Sequence, residues 1–219
     1  MNKIVCDSSS LISMSDNCLL WLLPGFNAEF IVPEEVKREI VDRPIKSARF
    51  EFKALRLGMA IGSGAIKVVS DGDVARRAKE IAGLANSLFR YGKHNVNIIH
   101  GGEAESIALM QKQGIQTLLV DERTTRLLVE DHVALKKYIE RRTGFNLKLN
   151  NKIAKRLEDE VGGISVIRSS ELLAWAFENG LLKKFGNDKS VLHASLYGLK
   201  YSGCAISNDE IEDYMRLLA

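Results

Sequence analysis

The 219 residues are 46% hydrophobic and 27% charged with a formal charge of +3, an ordinary globular profile with ample length for a core. Three prolines and no long polar tract exclude extensive disorder, and so mild a charge neither demands nor excludes nucleic acid. No apolar run approaches the ~20 residues of a membrane span, and the first segment meets Asp7 too early for a secretory signal. Cys6, Cys18 and Cys204 are scattered and lack metal-ligand spacing, so reduced thiols in a cytoplasmic protein are expected.

In chain order, short β-branched runs read as strands at 3–6 (KIVC), 29–33 (EFIVP), 65–69 (AIKVV), 116–120 (QTLLV) and 163–167 (GISVI). They are almost continuously apolar, as strands covered on both faces are. Helical patterns lie between them: 10–23 up to Pro24-Gly25, 33–41 opened by Pro33, 73–92 up to Gly92, and 103–114 and 169–180, each closed by a glycine. Two more follow at 189–203 and 208–218. Alternating strand and helix predicts one α/β domain over 1–219, a mainly parallel sheet with helices on both faces.

One segment breaks the rhythm. Residues 131–160 exceed what a crossover needs and read as an inserted helical pair with a basic surface. Lys136, Lys137, Arg141, Arg142, Lys148 and Lys152 stand in it, with Lys155 and Arg156 further on. Two readings stay open: a solvated helical face, or an arm that contacts phosphates.

The acids carry the chemical argument. Ligands of open parallel sheets bind at the carboxyl ends of strands, where Asp7 and Asp121 are expected. Glu39 lies beside Val36 and Ile40 on a buried helical stripe, and Glu103 precedes Ile107 by one turn behind two glycines. Glu105 is the alternative to Glu103. Taken singly, Asp7 could be a helix cap and Glu39 and Glu103 surface acids. Taken together, carboxylates ~4 Å apart repel by roughly 4 kcal/mol at an effective dielectric near 20. Such a nest either raises its pKa values or binds divalent cations. Oxygen donors without clustered His or Cys select Mg²⁺ or Mn²⁺, ions that activate water in phosphodiester hydrolysis.

The segments IVCDSSSLI, VPEEVKREI, GGEAESIALMQKQGIQTLLVDERTTRLL and GISVIRSSELLAWAFENGLL resemble, in order and spacing, a PIN domain of archaeal and bacterial type. The resemblance runs from residue 3 to about 215, interrupted at 46–99 and 131–160. It implies a three-layer α/β/α sandwich and a metal-dependent nuclease, more often on RNA than on DNA. Asp7, Glu39, Glu103 and Asp121 match the acidic site by motif. Glu105 and Glu122 are further metal candidates, and Ser9 matches a small hydroxyl residue near the metal. Arg123 and Arg126 are candidates for phosphate contact. A homodimer or an antitoxin-like partner protein is compatible with the family. The third acid is Glu where many members have Asp, and the basic segment is foreign to the minimal fold.

A non-catalytic nucleic-acid binder on the same scaffold is the alternative function. A phosphoryl-transfer receiver domain fits worse, because VCDSSS holds no acid pair and SVIRSS no Lys. His94, His100, His132 and His193 lack ligand spacing, and Trp21 and Trp175 read as core rather than stacking platforms.

Overall fold

A computed structural model describes residues 2–186 and 189–218. The first half runs β1 (Asn2–Cys6), α1 (Ser8–Asp16), a 3-10 turn (Leu20–Gly25), β2 (Ala28–Pro33), α2 (Glu34–Lys37) with a wider π turn (Arg38–Asp42), α3 (Ala48–Gly62), β3 (Ile66–Val69), α4 (Gly72–Ala85), β4 (Phe89–Tyr91) and β5 (His94–Asn95). Then come α5 (Gly101–Gln113), β6 (Thr117–Leu119), α6 (Arg123–Glu130), α7 (His132–Thr143), β7 (Lys148–Leu149), α8 (Asn151–Val161), β8 (Ser165–Ile167), α9 (Ser169–Glu178), α10 (Lys189–Tyr201) and α11 (Asn208–Leu217).

The five strands expected from the apolar runs form one parallel sheet in the order β3-β2-β1-β6-β8. Successive side chains alternate between its faces. Ile4, Cys6, Phe30, Val32 and Leu119 join one core with residues of α1, α3, α9 and α10. Val5, Ile31, Leu118 and Val120 join the other with α4, α5 and α8. This is the three-layer α/β/α fold. The chain leaves β1 for β2 on one side and returns at β6 on the other. That makes the carboxyl edge between β1 and β6 the switch point, where such sheets open a crevice for ligands. No helix among the described residues is long and apolar enough to cross a membrane.

Several expectations are corrected. The pattern over 10–23 is not one helix. Cys18 adopts φ +54° and breaks it, and the chain restarts as the 3-10 turn. The helix over 73–92 stops at Ala85. Asn86 turns its side chain to the loop ahead of α5, its Oδ1 accepting from Ile98 N at 2.6 Å, and Phe89 goes into β4 fully buried. Residues 48–62, unassigned from the sequence, form α3. The segment over 131–160 holds two helices, α7 and α8, with β7 between them, a strand not expected from the sequence that pairs with β4 in a small antiparallel sheet β5-β4-β7. Trp175 is 41% exposed and stacks on Phe26 at 4.6 Å, so it is less a core residue than expected.

A left-handed backbone costs an L-residue roughly 1–2 kcal/mol, and glycine costs about 0.5–1 kcal/mol of unfolded-state entropy. Cys18→Gly should therefore leave stability unchanged or raise it by up to about 1 kcal/mol in urea unfolding, although Cys18 sits mid-pattern in an apolar run.

Candidate active site

At the end of β1, Asp7 donates its amide to Leu119 O at 2.9 Å and is 1% exposed. Its Oδ2 accepts from Ser9 N at 3.0 Å and Ser9 Oγ at 2.7 Å, so it caps α1. Its Oδ1 is buried with no hydrogen-bond partner. An unsatisfied buried carboxylate oxygen is costly, and such an atom commonly marks a place for an ion or a proton. Burial raises the Asp7 carboxyl to about 6, and the charge of Glu103 adds to the rise.

Glu39 lies in the π turn after α2, a widened winding that recurs at functional sites. Burial raises its pKa. The Ser8 hydroxyl opposes that rise, and the charges of Glu103 and Asp7 add to it. Its Oε1 accepts from Gly102 N at 3.2 Å. A Cβ on Gly102 would lie 2.5 Å from Glu39 Oε2, so a larger residue there would push the Glu39 carboxylate out of its present position. Glu103, 9% exposed, accepts from His100 N at 3.0 Å at the α5 N-terminus. Glu105 turns away, its Oε2 accepting from Glu35 N at 2.9 Å. Glu103 is therefore the member of that pair beside Asp7 and Glu39.

Asp121 behaves otherwise. Fully buried, it accepts from Ser169 N at 2.8 Å through Oδ1 and from Ser169 Oγ at 2.6 Å through Oδ2. Both oxygens are engaged at the start of α9. Its neighbour Glu122 faces the cluster: partial burial raises its carboxyl, then the Asp7 charge does, while Thr124, His100 and Arg142 pull the other way. Asp7, Glu39, Glu103 and Glu122 thus form the acidic group. None of Asp7, Glu39 and Glu103 has a Lys or Arg ion pair among the described residues. The acids stand apart as placed, since no three His, Cys, Asp or Glu side chains among the described residues close on one point.

The Ser9 hydroxyl is saturated. It donates to Asp7 and accepts from Asp121 N at 3.1 Å and Glu122 N at 3.3 Å. It ties the ends of β1 and β6 together and has no lone pair left for a metal.

The cations are sorted just as unevenly. Arg123 and Arg142 each stand 5.5 Å from the Tyr138 ring centre, and Arg142 also donates to Tyr138 Oη at 2.8 Å. Arg126 faces Glu130 at 3.6 Å, and Lys136 is neutralised by Glu140 at 3.4 Å. Lys137, Arg141, Lys148 and Lys152 are exposed with no ion pair among the described residues. Sequence reasoning missed Ser8, Gly102 and Ser169. The doubled glycine before Glu103 was the signal for the second, since one C-terminal or hinge glycine needs no neighbour.

A family model described as a PIN domain matches residues 3–132, more than half of the chain. The chain belongs to the PIN-domain family. PIN domains are in general metal-dependent nucleases, and their nucleases usually use divalent metals. The matched span of this PIN domain contains Asp7, Glu39, Glu103, Asp121 and Glu122 and ends as α7 begins. No curated protein matches the chain.

The donor set fits a hard divalent cation: oxygen-only, short of positive partners, with one orphaned buried oxygen on Asp7. The pH dependence follows from Asp7. Its folded value, about 6, lies above the ordinary 3.8, so the fold holds this proton more tightly than the unfolded chain. The stability this confers is complete below about pH 4 and lost as pH rises through about 6. In chelator at pH 7.5, Asp7→Asn should be more stable than the wild type by up to about 3 kcal/mol in urea unfolding, and the difference should vanish near pH 4.

Proposed function

We propose that this PIN domain is a Mg²⁺- or Mn²⁺-dependent endoribonuclease that hydrolyses phosphodiester bonds at the carboxyl edge between β1 and β6. The observation that carries the reading is the buried, unpartnered Oδ1 of Asp7, whose carboxyl burial and the Glu103 charge both raise, beside a Glu39 carboxyl raised by burial and by the charges of Glu103 and Asp7. Asp7, Glu39 and Glu103 would hold the ion. When bound, a divalent cation supplies Lewis acidity to the phosphate and lowers the pKa of water.

The remaining residues have separable tasks. Glu122, with its raised carboxyl, is placed to take up or return a proton at the rim. Arg142 and Arg123, each held against the Tyr138 ring, orient a phosphate without entering the acidic pocket. Ser9 and Gly102 position Asp7 and Glu39 and touch no substrate. Asp121, the fourth acid expected from motif, supports the edge by capping α9.

A second reading has its own support. With Asp121 tied to Ser169 and the acids unclosed, the scaffold would bind nucleic acid without cutting it. The two readings separate on labelled single-stranded RNA with Mn²⁺. Cleavage should require the ion and stop with EDTA. Asp7→Asn and Glu103→Gln should each slow it by at least about 100-fold, beyond the 10–100-fold typical of groups that only support ligands. Asp121→Asn, which can keep its contacts to Ser169, should cost less than about 10-fold. Wild type and Asp7→Asn cutting alike would sink the nuclease; ion-independent binding without any cleavage would establish the binder.

A further inference from the structure

Outside the acidic group, the most unusual surface feature is a pair of parallel aromatic rings on the small sheet. Tyr91 ends β4 and Phe145 follows α7. Their centroids are 4.2 Å apart with planes within 15°, and they remain 45% and 44% exposed. Two left-handed glycines present them, Gly92 (φ +58°) and Gly144 (φ +72°). The pairing of β4 with β7 and the buried Phe89 hold the two segments together. Neither ring is needed to fill a core.

We propose that Tyr91 and Phe145 form a stacking platform for the unpaired bases of single-stranded nucleic acid, which guides the strand past Arg142 towards the acidic edge. The proposal rests on the nuclease reading and adds where the substrate is held and in what form.

Charge supports this occupant over an apolar one. Residues 86–102 contain two Lys or Arg and no acid, and residues 141–157 contain six and no acid. Arg90 stands directly across from Lys148 in the β4–β7 register. Like charges so placed repel, and neither has an ion pair among the described residues. A polyanion lying over this lobe relieves the repulsion and releases counterions. Continuity with the candidate site supports the direction of the strand. Arg142, three residues before Phe145, bonds Tyr138 Oη at 2.8 Å, and Arg123, the residue after Glu122, stands 5.5 Å from the same ring. Stacking needs an open base face, which a duplex covers, and it tolerates any sequence.

The test is equilibrium binding in EDTA, by fluorescence anisotropy, of short labelled oligouridylate, oligothymidylate and an RNA duplex. Tyr91→Leu combined with Phe145→Leu keeps apolar bulk between the segments and removes the ring faces. This variant should bind at least one of the single strands about fivefold or more weakly than the wild type, the lower end of base–aromatic stacking. Duplex binding and the salt dependence should stay unchanged, because no phosphate contact is lost. Tyr91→Phe should bind as the wild type does. Unchanged single-strand affinity in the leucine variant, equal losses on single strand and duplex, or no single-strand binding by the wild type would each overturn the platform. No cleavage enters this measurement, so failure of the nuclease reading shows separately, as Mn²⁺-dependent activity that is absent while the platform still binds.

Discussion

The arrangement depends on an unfavourable interaction: buried carboxylates whose charges act on one another, with no Lys or Arg ion pair on Asp7, Glu39 or Glu103 among the described residues. Asp7 is the extreme case, capping α1 with one oxygen and leaving the other buried and unbonded. Removing such an oxygen from water without compensation costs on the order of 1–3 kcal/mol. A proton or a cation can offset that cost, and a divalent cation would offset several acids at once, as the proposed function requires. The position is set by topology. At the switch between β1 and β6, the ends of two adjacent strands diverge and open a crevice at the carboxyl edge.

Holding repelling groups in place takes donors aimed at their backs. Ser9 supplies one hydrogen to Asp7 and accepts two amides from the end of β6, so one hydroxyl sets the spacing of both strand ends. The N-terminal amides of α5 face Glu39 and Glu103, where a helix dipole favours negative charge. Gly102 leaves room for the Glu39 carboxylate against that helix end; a Cβ there would displace it. The acids are thus braced by neutral dipoles, and their charge stays available; Lys and Arg partners would have cancelled it. The same protein shows the contrast at Glu35, which is paired with Arg38 and Arg43 and carries no comparable frustration.

What the sequence made legible follows from how local each determinant is. The parallel strands were readable because burial on both faces leaves an uninterrupted apolar run, as in Ile4 to Cys6 and Phe30 to Val32. Gly114, in the left-handed region with φ +64°, closes α5 as its position foretold. The hairpin β4–β5 was not readable. Phe89 and Tyr91 continue a helical pattern, and only the turn of Asn86 towards Ile98 and Ile99 ends α4. Nor was the partnership of β7 with β4, since two-residue strands carry no period of their own. The position of Asp7, Glu39, Glu103 and Asp121 at this edge was legible because strand ends and helix faces are short-range properties. The bonds of Asp121 to Ser169 were not, because that partner lies 48 residues on.

The contrast between Asp121 and Glu122 has a geometric origin. In extended chain, neighbouring side chains point to opposite sides, so an acid pair at a strand end cannot present both members to one crevice. Val120 still bonds in register with β8 through Ile167 O at 2.9 Å, and this extends the alternation to the residues after it. Asp121 then falls on the side of α9, where the Ser169 amide and hydroxyl take both its oxygens. Glu122 falls on the side of Asp7, with the Ser9 hydroxyl accepting its amide and a longer side chain that spans the wider gap. The doubled acid therefore divides one structural duty from one electrostatic duty. Arg142 and His100 temper the second, since both lower the carboxyl that Asp7 raises. An edge with negative charge at its floor and positive charge on its rim discriminates by position. On the proposed function, a cation would sit deep and a phosphate shallow, an order that neither charge alone would impose.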